Sequence, residues 1–370
     1  MVPKIRFKGF TDAWEQCKVK DVASFSKGSG YSKNDLQSTG CPIILYGRLY
    51  TRYETEIKNV DTFVEPKEGS VYSQGNEVIV PASGETAEDI SRASFVATKG
   101  IILGGDLNIV RPLHGLNPSF LALLISNGTA QKELSKMAQG KSVVHIHNSD
   151  IEKLNILFPS TQEQERISNI FNNLDALLTL HQRKYEQLST VKKSLLQKMF
   201  PNEGESVPEL RFAGFTDAWE QRKVKDVCSI TTGKSNTQDQ VSNGNYPFFI
   251  RSDTPVKSNR WLYDEEAVIT IGDGNIGKVF HYINGKFDLH QRCYKMSSFK
   301  ELTGKYFYYY FSKNFYKRAM SMTAKATVDS VRLEMIADMY VMYPKSIEEQ
   351  NKISAVLSSI DSLLTLHQRK

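Results

Sequence analysis

Cysteine is scarce in this chain, with four among 370 residues. Cys17, Cys41, Cys228 and Cys293 stand far apart, lacking the paired spacing of a zinc site and the density of a disulfide framework. Long apolar runs are missing too. No stretch of 18 apolar residues predicts a membrane-spanning helix, and an N-terminus with Lys4 and Arg6 but no apolar core after them does not read as a signal peptide. Together these absences predict a cytoplasmic protein. Neither charge dominates: 47 Lys and Arg against 41 Asp and Glu leave a net +6, which permits nucleic-acid binding without requiring it. At 40 % apolar residues the chain can build ordinary cores, and its length leaves room for two or three domains.

What the chain does have is a duplication. RFKGFTDAWEQCKVKDV at 6–22 returns as RFAGFTDAWEQRKVKDV at 211–227, and LLTLHQRK at 177–184 returns unchanged at 363–370. The order is box, variable region, helix, and then the same again. Two such units are too long and too few for a solenoid. The variable regions, about 27–150 and 232–335, share little sequence, so matched frames carry different inserts.

Each helix announces itself. Ser160 and Glu163 have capping-box spacing ahead of an apolar pattern at Ile167, Ile170, Leu174 and Leu177, resumed at Leu188, Val191 and Leu195 and ended by Pro201 and Gly204. Taken whole, 161–200 would be roughly 60 Å long at 1.5 Å per residue. Ser346 and Glu349 open the second copy, with Ile353, Val356, Ile360 and Leu363 in the same register. A narrow apolar stripe sustained over heptads predicts an antiparallel coiled-coil pair, the alternative being that each helix packs on its own domain. The second helix reads as the shorter one. Leu188, Val191, Leu195, Leu196 and Met199 are therefore expected to lack an internal partner and to be covered by another subunit or a second copy.

Short β-branched and aromatic runs broken by Gly, Asn and Asp fill both inserts: PIILYG, EVIVPAS and GIILGGDLNIVRP, then YPFFIRS, EAVITIGDGN and GKVFHYING. These predict strands and tight turns. With helical candidates PSFLALLISNGTAQKELSKMA and KYFYYYFSKNFYKRAMSMT, the expected class is α+β, with mixed sheets and short helices. The expected boundaries are 1–158, a helix at 159–201, 202–343 and a final helix at 344–370. Polar and basic residues gather in the turns: Lys27, Arg48, Tyr50, Arg52, Tyr53, Ser83, Glu85, Thr86 and Lys141 in the first region. The second has Lys234, Ser235, Asn236, Arg251, Asp273, Asn275, Lys278, His290, Arg292 and Lys325. Such side chains supply the donor and acceptor pairs that distinguish base edges in a DNA groove, although any one of them is an ordinary turn residue.

Three look-alikes fail on chemistry. GDGNIGKV at 272–279 has phosphate-loop spacing, but Val279 stands where a magnesium-binding hydroxyl is needed and a strand follows, not a helix. NPSF at 117–120 resembles the motif that holds a flipped adenine, yet Ser119 replaces a proline and Asn117-Pro118 suits a helix start. His145 and His147 alternate as on a strand, with both rings on one face, and no further metal ligands lie nearby in the sequence.

The two boxes, the P-(S/K)-(T/S)-x-E-Q-like helix starts and the twin LLTLHQRK segments together resemble the specificity subunit of type I restriction-modification systems, over the whole chain. The resemblance implies a non-catalytic DNA-binding chain. Each variable region would be a target recognition domain for one half of a bipartite, asymmetric site in double-stranded DNA, with the helices setting the gap. It implies two methyltransferase subunits and endonuclease/translocase subunits as partners. They would direct adenine methylation and cleavage and carry S-adenosylmethionine, ATP and magnesium, so that this chain needs no cofactor. Two other readings remain open: a two-domain protein-binding adaptor and a free-standing DNA adenine methyltransferase.

Overall fold

In the computed structural model residues 3–113, 115–140, 143–202, 204–323 and 330–368 are described, so Lys141 and Lys325 lie outside the described residues. The chain divides into two units, 1–180 and 181–370, and the division falls inside the helix Thr161–Lys198. The class is α+β, as expected.

Each box builds the same frame. Its strand, Glu15–Lys18 in the first unit, pairs antiparallel with Asn155–Phe158, the strand that leads into the long helix. In the second unit Glu220–Lys223 pairs with Tyr340–Tyr343 ahead of the helix Ile347–Gln368. The box arginine then reaches the helix. Arg6 donates twice to Glu163 at 2.8 Å, and Arg211 twice to Glu349 at 2.7 and 2.9 Å; both carboxylates are 1 % exposed. This corrects the capping-box expectation. At Ser346 the hydroxyl does accept the Glu349 N–H at 3.3 Å, but the glutamate carboxylates are taken by arginines, whose paired donors match them better than a single backbone N–H can.

The glutamine that follows closes the frame. Gln164 accepts the Asn117 N–H and donates to the carbonyls of Gly115 and Pro159; Gln350 accepts the Thr303 N–H and donates to Glu301 and Pro344. Both are fully buried, so each amide ties a loop to a helix start where water cannot compete.

The inserts differ in construction as well as in sequence. The first holds two five-stranded sheets. One runs Ala23–Lys27, Leu107–Pro112, Glu77–Pro81, Ser94–Val96, Glu56–Ile57; the other runs Leu36–Gln37, Phe63–Val64, Cys41–Ile44, Lys99–Leu103, Tyr72–Gln74. The second holds one six-stranded sheet in the order Ser229–Thr232, Cys293–Ser297, Tyr263–Ile271, Phe280–Leu289, Tyr246–Phe249, Val256–Ser258. All are mixed, with parallel pairs such as Cys41–Ile44 with Lys99–Leu103. The first helical candidate is two helices, Pro118–Ser126 and Gly128–Met137, broken where Gly128 takes φ +66°; the second is one, Gly304–Thr323.

Within the second unit the helix segment from His181 onward lies antiparallel to Ile347–Gln368. His181 meets His367, Tyr185 meets Gln368 and Lys192 meets Asp361, while Met199 and Phe200 join Ile353 and Leu357 in the core. The expectation of an outside partner is therefore corrected for Leu195, Leu196 and Met199, while Val191 stays exposed. Met199 is 3 % exposed, and Leu195 and Leu196 pack on the same core, because aromatic residues of the second insert reach them. Of the proposed seam, Ile167 packs on the first unit's core, Ile353 and Ile360 are buried in the second, and Val356 is half-buried. Ile170, Leu174, Leu177 and Leu363 are exposed.

Candidate nucleic-acid interface

In the second unit, turns far apart in sequence are laced together. Ser235 bridges to His290, Gly272 N–H donates to the Arg292 carbonyl at 2.7 Å, and Val331 N–H to that of Gly272. This brings Arg251 and Arg292 onto one carboxylate, Asp273, at 3.1 and 2.7 Å. Burial pushes the Asp273 carboxyl up, but hydrogen bonds from Arg292 and Arg251 outweigh it and hold it below its ordinary value. Both guanidinium groups stay about half exposed, so each is aimed by Asp273 and still has donors free.

His290 supports the same corner. Burial, and then the charge of Arg251, lower its pKa, which favours the neutral ring. Its Nδ1 accepts the Arg292 N–H at 3.1 Å, which leaves the proton on Nε2, facing Thr237 at 3.4 Å. Asn236 accepts from Gln291 at 2.6 Å. Ser235 is buried, donating to Asp288 and accepting from Arg260, so it holds the turn and is closed to a ligand. Lys234, Asn275 and Lys278 are exposed, with the Lys278 ammonium 5.5 Å from the Tyr316 ring centre.

The first unit divides its expected residues into two groups. Arg48 is occupied: it donates to Glu54 at 2.7 Å, to Asp61 at 3.0 Å and to the Asn59 carbonyl, with its side chain 8 % exposed. Arg52 shares Asp61 but is exposed. The other group surrounds Arg92, whose guanidinium lies over both Tyr50 and Tyr53. Tyr50 donates to the Ser83 carbonyl at 2.8 Å, and burial raises its pKa; Tyr53 donates to the Ala93 carbonyl at 3.2 Å. Ser83 Oγ contacts His145 at 3.2 Å, Thr86 caps the short helix Ala87–Ile90, and Glu85 is exposed beside it. Lys27 ends the strand Ala23–Lys27 apart from these groups, its pKa lowered by burial against the opposing pull of Asp106.

Sequence reasoning missed Arg92, Arg260 and the frame pairs. Only the frame pairs carried a signal, since Arg6 and Arg211 recur in the box while Glu163-Gln164 and Glu349-Gln350 recur at the helix starts. The look-alikes resolve as turns and caps. In GDGNIGKV, Gly274 and Gly277 take φ +83° and +68°, and a Cβ on Gly277 would come within 3.0 Å of Tyr316. Asn117 accepts the Phe120 N–H at 3.0 Å at the start of Pro118–Ser126. The shared strand face for the two histidines is corrected: the strand is only Val144–His145, and His147 precedes the short helix Asn148–Ile151, where Asp150 accepts its N–H.

Comparison with known proteins decides the family. The type I restriction modification DNA specificity domain matches residues 11–190 and 216–370. The chain belongs to this family. It is 23 % identical over 225 residues to the type I restriction enzyme MjaVIII specificity subunit of Methanocaldococcus jannaschii, covering 60 % of this chain and 50 % of that protein. Against the EcoDI specificity subunit of Escherichia coli it is 24 % identical over 147 residues, 39 % of this chain and 32 % of that one. The chain thus spans about half or less of the length of these relatives. The crystal structure of the S subunit of a type I restriction-modification system from M. genitalium shares the fold, with a TM-score of 0.74 at 15 % identity over 100 % of this chain and 94 % of that one. Among its described residues no helix is long and apolar enough to cross a membrane.

Proposed function

We propose that the chain reads DNA for a type I restriction-modification complex, each insert recognising one half of a bipartite, asymmetric site. One observation carries this reading: two frames with the same arginine–glutamate and glutamine ties hold inserts built on different sheets. Identical frames serve one assembly, and unlike inserts serve unlike half-sites. The helix Thr161–Lys198, about 57 Å at 1.5 Å per residue, sets the unread gap. The chain itself does no chemistry; two methyltransferase subunits and endonuclease/translocase subunits methylate adenine and cleave, bringing S-adenosylmethionine, ATP and magnesium.

For base and phosphate contacts the exposed members of the loop sets are offered: Arg251, Arg292, Lys234, Asn275 and Lys278 in the second insert, and Arg52, Glu85, Thr86 and Lys27 in the first. Phosphate contacts from Lys and Arg position the chain, and base contacts from Arg, Asn and Glu specify sequence. The domain limits proposed are 1–158 and 202–343 for the inserts with their boxes, and 159–201 and 344–370 for the helices. Exchanging residues 232–335 for another insert and mapping methylated adenines in cells that supply the methyltransferase tests the reading. One half-site should change and the other persist; if both stay the same, the reading fails.

A further inference from the structure

The inserts stand on different sheets, yet the same backbone hydrogen bonds lace their turns. In the second unit the N–H of Gly233 donates to the Cys293 carbonyl, that of Lys234 to Leu289, of His290 to Phe249, of Gly272 to Arg292 and of Val331 to Gly272. In the first unit Gly28 donates in the same way to Leu107, Ser29 to Leu103, Gly104 to Ile44, Ala82 to Asp106 and Ile146 to Ala82. Strand registers agree as well. Ile271 pairs with Cys293 as Pro81 pairs with Leu107, and Phe249 runs parallel to Leu289 as Ile44 does to Leu103. Ties that all agree in one register fix which residue answers which, although the two inserts share few letters.

The turn 104–106 therefore stands where 290–292 stands, and Asp106 occupies the place of Arg292. Ser83 and Tyr46 take the places of Asp273 and Arg251. Neither copies the clamp of the second unit: Ser83 Oγ meets His145 at 3.2 Å, and the Tyr46 ring packs edge-on against Tyr50. Asp106 is exposed, and its carboxylate joins no side-chain hydrogen bond among the described residues. Where the second insert offers cationic donors, the first offers an anionic acceptor.

A phosphate repels a carboxylate, so an exposed one at this corner suits a base edge. In the major groove guanine shows two acceptors, adenine sets an acceptor beside its amino group, and thymine shows an acceptor and a methyl. Cytosine alone shows a donor by itself. Resting on the DNA-reading role proposed above, we infer that Asp106 is a specificity-determining residue of the first half-site and accepts from the N4 amino group of a cytosine. The first insert then reads from the turn 104–106, with Lys27 close enough to feel the charge of Asp106.

Mapping methylated adenines in cells that carry the full chain and its methyltransferase tests this, with Asp106→Ala, Asp106→Asn and, separately, the exchange of residues 232–335. The first half-site is the one that the exchange leaves unchanged. With Asp106→Ala, discrimination at one C·G pair of that half-site should fall about tenfold. The other half-site should stay sharp, which also shows that the variant folds. Asp106→Asn should move the preference at the same position toward adenine, whose N6 and N7 an amide matches, and a merely structural residue would give no such shift. A first half-site unchanged by both variants overturns the proposal while two-part recognition stands, and so does relaxation at an A·T pair or in the other half-site. Loss of all methylation with both variants overturns it too, because Asp106 would then hold the fold and not read a base. If the exchange alters neither half-site, the chain is no two-part reader and Asp106 has no half-site to read.

Discussion

Arg211 grips Glu349 through two hydrogen bonds, one to each carboxylate oxygen, across 138 residues of sequence, and the glutamate is 1 % exposed. Neutralising only one partner leaves a buried charge alone, so Arg211→Met should cost about 3–5 kcal/mol. Arg6→Met should destabilise in the same direction through Glu163. Urea unfolding measures both, and a loss within error of zero would remove these pairs from the frame's stability.

Gln164 and Gln350 each hold three backbone groups. Replacing either with alanine leaves a buried N–H and two carbonyls unmet, at about 1–3 kcal/mol for each group that water cannot reach. Hydrogen exchange should report it locally: the Thr303 amide should exchange faster in Gln350→Ala, and the Asn117 amide in Gln164→Ala.

Acid should loosen the second insert. Burial lowers the pKa of both His281 and His290 from the ordinary 6.5. The unfolded chain therefore binds more protons than the folded one in that window, and stability falls as pH drops through 6.5 toward the depressed values. It is fully present above 6.5. Thermal unfolding between pH 8 and pH 5 should show the decline, and His290→Gln should flatten part of it.

Thiol reactivity should split by burial. Cys228 and Cys293 are buried, and burial pushes both thiols up to about 12, so at neutral pH they offer almost no thiolate. Maleimide labelling of the folded chain should modify Cys17 and Cys41 first, with mass spectrometry locating the adducts. Early labelling at Cys293 would contradict the core described here.

Arg251 and Arg292 should matter to DNA more than Arg48 does. Alanine at Arg292 is expected to weaken binding to the cognate duplex by about 1–3 kcal/mol and to relax one position of its half-site. Arg48→Ala should lower stability instead, since its donors already serve Glu54, Asp61 and Asn59. Anisotropy with cognate and scrambled duplexes, beside urea unfolding, separates the two effects.

The duplication, the helix starts, most strands and the family resemblance were legible in the residues, because local periodicity and repeated letters encode them directly. So were the cap at Asn117 and the turn at Gly274–Gly277, where one backbone conformation selects one residue type. Partnership was not legible. Glu163 and Glu349 have capping spacing, and only the fold brings an arginine from a distant box to claim them. Met199 looked uncovered until Tyr306 and Trp219 closed over the end of its helix, while Phe171 and Leu174 carry the same pattern and remain open. An apolar stripe fixes that a helix face must be covered; what covers it depends on contacts across hundreds of residues, which no local pattern contains.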